Sequence, residues 1–193
     1  MDRELLFSIL AFLITLWSTV VYWKWIFRWE IIPHPFTFFI WIVVLAISSI
    51  ELIENDEILG SLAIIFMTLS NVWIWIYGIY KWKHIEINWI DWFFLVSWIF
   101  LFIFWRLEPD YTYVLAVMIA IDATAYVSSF KKAWIQPFTE KSLPYFISVG
   151  NNICTILAIT VWSFENLGMW IWTALINLTF ACFILGRQYY LSK

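Results

Sequence analysis

Charge is what this sequence has least of. Only 13% of its 193 residues are charged, against 64% hydrophobic, and the formal net charge is −3. The eleven Lys and Arg residues are sparse, so no basic stripe exists for a phosphate backbone and nucleic acid is excluded as a partner. Glycine and proline number five each, which leaves no room for a flexible linker, and no Ser-rich, Gln-rich or charge-run segment appears. One compact domain is expected. The two cysteines, Cys154 and Cys182, lie in apolar stretches where a thiol acts as a small hydrophobe, so they say nothing firm about redox compartment. His34 and His84 are the only histidines, too few for a zinc site, and no His-Glu-x-x-His spacing occurs. No metal is expected. A Gly-x-Ser-x-Gly elbow and a phosphate-binding glycine loop are both missing, so neither catalytic residues, nor a cofactor, nor enzyme activity is expected. A retinal pigment needs a lysine in the last helix, and the last apolar stretch has none.

What is present is apolar length. Mean hydropathy is +0.84, more than a soluble core of this size requires. A membrane-spanning helix takes about 20 mostly apolar residues. Seven stretches qualify: Leu5 to Trp23, Pro35 to Leu52, Ile58 to Tyr80, Asn88 to Trp105, Tyr111 to Phe130, Leu143 to Phe164 and Leu167 to Gly186. Their unbroken apolar runs do not alternate as barrel strands would, and the short connections hold nearly all the charge. The opening Met1-Asp2-Arg3-Glu4 lacks the net-positive flank and cleavage site of a secretory signal, so the first run is taken as a span. The predicted fold is all-α and polytopic, with the lipid bilayer as its first partner.

Lys and Arg accumulate in cytoplasmic loops. Nine of the eleven (Lys24, Arg28, Lys81, Lys83, Lys131, Lys132, Lys141, Arg187 and Lys193) fall on one side, and Arg3 and Arg106 on the other. This predicts a multi-pass protein with its N-terminus outside and its C-terminus in the cytoplasm. The outer side is acidic, with Glu51, Glu54, Asp56, Glu57, Glu108, Asp110 and Glu165. Glu51 and Glu54 share a helix face there and are read as a solvated helix end, or else as groups that attract cations or gate a mouth. Many of the sixteen tryptophans fall where interfacial rings anchor. Trp23, Trp25, Trp29, Trp82, Trp89, Trp92 and Trp134 are placed at the inner boundary, and Trp105, Trp162, Trp170 and Trp172 at the outer. Trp17, Trp41, Trp73, Trp75 and Trp98 lie deeper, either lining a cavity or facing lipid.

Pro35-Phe36-Thr37 recurs as Pro137-Phe138-Thr139, each after a basic, Trp-containing helix end. The same offset lays the first three spans over the last three in the same direction, with the fourth as an inverting linker. The expected division is repeat 1 over residues 1–84, a linker helix over 85–108 and repeat 2 over 109–193. Parallel three-helix repeats are a transporter pattern, with substrate near the midplane between the halves. In this 3+1+3 plan, in length, direction and the Pro before the second helix of each repeat, the chain resembles the SWEET, SemiSWEET and PQ-loop superfamily, an architecture shared by nicotinamide riboside transporters. Its Asp-containing fifth span, running into Ser128-Ser129-Phe130-Lys131-Lys132, is also similar to uncharacterised small bacterial membrane proteins. The Pro-Gln pair of the PQ-loop group is absent, as is proline from the first helix of each repeat.

An ionisable side chain within hydrocarbon is a functional-site hypothesis by default. Asp122 is the only acid deep within a span. It either serves a site, or is a neutral buried acid or a structural bond to a neighbouring helix. Asn71, Asn177, Asn151 and Asn152 fall at a similar depth, so four helices place carboxylate or amide groups at one height. The SWEET resemblance implies that Asn71 and Asn177, on the third helix of each repeat, are a substrate-facing pair; plain interhelical hydrogen bonding is the alternative. Tyr126 follows Asp122 by four residues on the same face and would stack on a ring or bond the carboxylate. Ser18, Thr19, Ser48 and Ser49 are weaker candidates. The expected function is a plasma-membrane transporter or facilitator, bacterial by its compactness, for a small neutral or cationic organic solute bound by Asp122, Asn71, Asn177, Asn151, Asn152 and Tyr126. The alternative is a non-transporting structural or interaction subunit of a membrane complex. Self-association into a homo-oligomer stays open.

Overall fold

The computed structural model describes residues 2–28, 35–80, 89–107 and 110–193. Among them every regular element is helical: α1 (Arg3–Phe27), α2 (Pro35–Glu54), α3 (Ile58–Tyr80), α4 (Trp89–Leu107), α5 (Tyr111–Ile135), a 3-10 turn at Pro137–Thr139, α6 (Leu143–Ala158) and α7 (Phe164–Leu191). His34, His84, Trp29, Trp82, Lys81, Lys83 and Glu108 lie outside the described residues. Four helical stretches, Arg3–Phe27, Thr37–Glu54, Ser61–Tyr80 and Phe164–Leu191, are long and apolar enough to cross a membrane. Shorter apolar stretches, Val96–Leu107, Tyr111–Ala123 and Leu143–Ala158, belong to α4, α5 and α6. The outside is apolar as well: Leu13, Val20, Leu69, Trp73, Val96, Phe100 and Ile103 are each more than half exposed.

α6 departs most from expectation. Its apolar run continues to Phe164, yet the helix stops at Ala158, and its 16 residues at about 1.5 Å each reach only about 24 Å. The cause sits on the α2–α3 connection, more than a hundred residues upstream. There Asp56 has a φ of 62°. Its N–H bonds the Ile53 carbonyl at 3.1 Å and the Glu57 N–H bonds the Leu52 carbonyl at 2.7 Å, the paired reverse bonds of a Schellman motif. The Glu57 carbonyl then accepts from the Ser61 N–H at 3.1 Å, which makes Glu57 the residue entering α3. Held from both sides, its side chain points across to the α6–α7 connection.

Glu57 is 4% exposed. It accepts from the Thr160 N–H at 2.9 Å and the Val161 N–H at 2.7 Å, and from the Thr160 hydroxyl. The N–H groups that a continued helix would bond to carbonyls one turn back are tied to the acid instead. Asn166 Nδ2 donates to the Val161 carbonyl at 3.0 Å, and Asn55 Nδ2 donates to Asn166 Oδ1 at 3.1 Å. Ser163 Oγ accepts from the Asn166 N–H and so starts α7 as its N-cap. Glu57, expected among the acidic residues at the outer loops or helix ends, is therefore a buried structural acid.

α3 packs on both α1 and α2, and α7 packs on both α5 and α6. α1 also lies along α6, while α4 rests on α2 and α5. The α1–α6 approach is close because the buried residues Ser8, Ala11 and Thr15 of α1 and Thr155 and Ala158 of α6 are small. Gly168 does the same for α7 on α5, where a Cβ would stand 2.7 Å from Leu115 Cδ2.

The buried clusters differ between the two ends of the bundle. At the acidic end one joins Ile40, Val44 and Ile47 of α2 to Trp98 and Leu101 of α4, Val114, Leu115 and Met118 of α5 and Met169 of α7. A second there joins Leu45 and Leu52 of α2 and Ile64 of α3 to Ile159, Leu167 and Trp170. At the basic end each helix triplet has its own cluster: Ile26, Phe38 and Ile74 in α1–α3, and Tyr126, Ala133, Phe180 and Ile184 in α5–α7. Shared packing at one end and separate packing at the other leave a gap between the triplets.

Candidate binding cavity

The gap is a cavity of about 230 Å³. Among the described residues, α1, α2, α3, α5, α6 and α7 contribute to its wall. Thr15, Ser18, Thr19 and Tyr22 come from α1, Phe38 and Trp41 from α2, Ser70 and Asn71 from α3, Asp122 and Tyr126 from α5, Tyr145, Asn151 and Asn152 from α6, and Trp170, Thr173 and Asn177 from α7. All six residues singled out in the sequence, Asp122, Asn71, Asn177, Asn151, Asn152 and Tyr126, thus line one space, as do the weaker candidates Ser18 and Thr19. Ser48 and Ser49 are buried and do not line it; Ser49 Oγ donates to the Ala46 carbonyl at 2.9 Å. The cavity reaches the basic end at Thr37, Glu140 and Lys141, all partly exposed. Towards the acidic end its lining is apolar, with Val44, Leu45 and Met169, which belong to the shared clusters.

Asp122 is 1% exposed. Its Oδ2 accepts from the Trp172 indole N–H at 2.9 Å, and the Trp41 side chain also reaches the carboxyl. Tyr126 does not bond Asp122, contrary to one expectation for it: its hydroxyl donates to Asn177 Oδ1 at 3.0 Å, and Asn177 Nδ2 donates to the Thr173 carbonyl at 2.7 Å. The Thr15 hydroxyl lies 2.9 Å from the Ala11 carbonyl and 3.0 Å from Asn151 Oδ1. Its single proton serves one of them; given to Ala11, it leaves the hydroxyl oxygen as acceptor for a turned Asn151 amide. Asn71 stands beside Ser70, whose Oγ donates to the Phe66 carbonyl at 2.9 Å and accepts from Thr19 at 3.4 Å. Asn152 is 2% exposed, and its buried Nδ2 has no hydrogen-bond partner among the described residues. Buried amides are nearly always paired, so a free donor on a cavity wall is a place for something else to bind.

Sequence reasoning missed two tryptophans of this site. Trp170 and Trp172, assigned to the outer boundary, are respectively 2% exposed on the cavity wall and bonded to Asp122. Of the five deeper tryptophans, Trp41 lines the cavity, Trp98 is core and Trp75 packs on Phe39. Trp17 and Trp73 point outward, 54% and 64% exposed. Glu51 is more than a solvated helix end, since its Oε1 accepts from the Trp105 indole. It also stands at the end opposite the cavity mouth. No group of three or more His, Cys, Asp or Glu able to hold a metal occurs among the described residues. Comparison with protein-family models, with curated proteins and with solved structures finds no match to this chain.

Proposed function

We propose that the chain is a seven-span plasma-membrane protein, N-terminus outside and C-terminus in the cytoplasm, that carries a small organic solute between two three-helix repeats of the SWEET-like kind. The observation that carries this reading is the convergence of one carboxylate and four amides, from four helices, on a single cavity. Polar groups in hydrocarbon are expensive, and interhelical bonding alone would place them in dry pairwise contacts rather than around a hollow. The equivalent packing of α3 between α1 and α2 and of α7 between α5 and α6 supports the repeat, with α4 as linker. The opening of the cavity at Thr37, Glu140 and Lys141 supports an inward-open state, since it lies at the Lys- and Arg-rich end. A volume of about 230 Å³ is below the pockets of about 300 Å³ and more that hold drug-sized ligands; it suits a solute the size of one ring.

The test is uptake by proteoliposomes from a mixed extract of small metabolites, read by mass spectrometry of the lumen. Wild-type vesicles should accumulate a restricted set of solutes. The Asp122→Asn, Asn177→Ala double variant, reconstituted in equal amount, should lose them. Equal uptake by both, or a wild type indistinguishable from empty vesicles, would sink the carrier reading.

A further inference from the structure

We infer that the solute is a small organic cation bearing a hydroxyl or carbonyl oxygen, with its charge against Asp122, its apolar body against the aromatic walls and its oxygen on the free Asn152 amide. This rests on the carrier reading of the same cavity and deepens it.

Charge decides the class. Asp122 is the one acidic or basic side chain in the described interior of the cavity; Glu140 and Lys141, the other charged lining residues, stand at the mouth. The groups that reach its carboxyl, Trp172 and Trp41, are neutral indoles. A buried carboxylate without a counter-charge is costly, and an organic cation supplies what the fold omits. An anion would meet like charge. A neutral polyol would engage the amides yet leave the carboxylate as it was.

The walls agree with this choice. Tyr126 and Tyr145 pack T-shaped against Phe180, with centroid separations of 5.9 Å and 4.7 Å. With Trp41 and Trp170 they make the cavity wall aromatic, and aromatic rings attract cations most when water is excluded. The second determinant is separate from charge. Asn152 Nδ2 is buried and unpartnered, so the solute gains by presenting an acceptor to it.

Choline and its neutral carbon isostere, in which a quaternary carbon replaces nitrogen, share shape and hydroxyl and differ in charge; glucose serves as a neutral polyol. Isothermal titration of the full chain in nanodiscs should show choline binding at least about tenfold more tightly than the isostere or glucose, and Asp122→Asn should bring the choline-to-isostere ratio close to one. If that variant does not fold, the ratio in the unaltered protein decides. In parallel, Asn152→Cys, made with Cys154→Ser and Cys182→Ser, is exposed to a water-soluble maleimide in membranes. Binding of isostere or glucose as tight as that of choline overturns the cation class and leaves the carrier reading intact. Labelling at position 152 with no response to any of the three probes does the same. A cysteine there that never labels overturns the carrier reading itself.

Discussion

Single residues set the direction of the groups that matter, and Asp56 is the clearest case. Its φ of 62° is left-handed, a conformation that costs an ordinary L-residue about 1–2 kcal/mol and Asp or Asn less. Its side chain is exposed, so substitution reports on backbone strain and not on packing. Asp56→Val should lower stability by about 1–2 kcal/mol, whereas Asp56→Gly should stay within about 0.5 kcal/mol of wild type or exceed it. Unfolding in mild detergent, followed by circular dichroism, measures both, and equal loss for the two would show that the turn does not depend on that conformation. The sequence marks this position only as a polar loop residue, because a lone Asp carries no signature of its φ. Asp122 and the asparagines were legible for the opposite reason. A polar side chain inside an apolar run stands out from its neighbours, and helical rise converts its sequence position into depth.

Helix existence was also plain in the chain, since apolar runs of that length have few alternatives. Helix ends were less so, and α6 explains why. Ile159 to Phe164 is mostly apolar and reads as more helix, yet the backbone turns extended at Ile159 (φ −76°, ψ 134°). The decisive partner, Glu57, is supplied from another connection, and no local pattern announces a bond across 103 residues. The part Trp172 plays at the site was hidden in the same way, since its partner Asp122 is 50 residues distant. Removing the acid exposes what it holds. Glu57→Ala leaves the Thr160 and Val161 N–H groups unsatisfied, at about 1–3 kcal/mol each. A destabilisation of about 2–5 kcal/mol is expected, with hydrogen exchange at those two amides rising before that of the α7 interior. Glu57→Gln keeps an acceptor oxygen and should cost less than half as much. Equal exchange at Thr160 and Val161 in wild type and Glu57→Ala would remove the acid from its assigned place at the end of α6.

Across the whole molecule, the acidic end is where the two helix triplets are fastened. The Glu57 clasp and the Asn55–Asn166 bond join the α2–α3 turn to the α6–α7 connection and the first turn of α7, above the clusters that both triplets share. The basic end has separate clusters and the mouth. A carrier that releases solute on the acidic side must part this clasp, because it and the apolar floor beneath it separate the cavity from that face. Cysteines at positions 55 and 166 (Asn55→Cys, Asn166→Cys, with Cys154→Ser and Cys182→Ser) can be bridged by a short, reducible thiol-to-thiol linker, since the native amides already meet at 3.1 Å. Bridging should stop proteoliposome uptake of the recovered solute by at least about tenfold and leave equilibrium binding within about twofold, because the mouth at the other end stays open. Reduction of the linker should restore uptake. Full uptake through a completely bridged protein would mean that solute passes without separating the triplets here. The clasp would then be a fixed hinge around which the basic end alone moves.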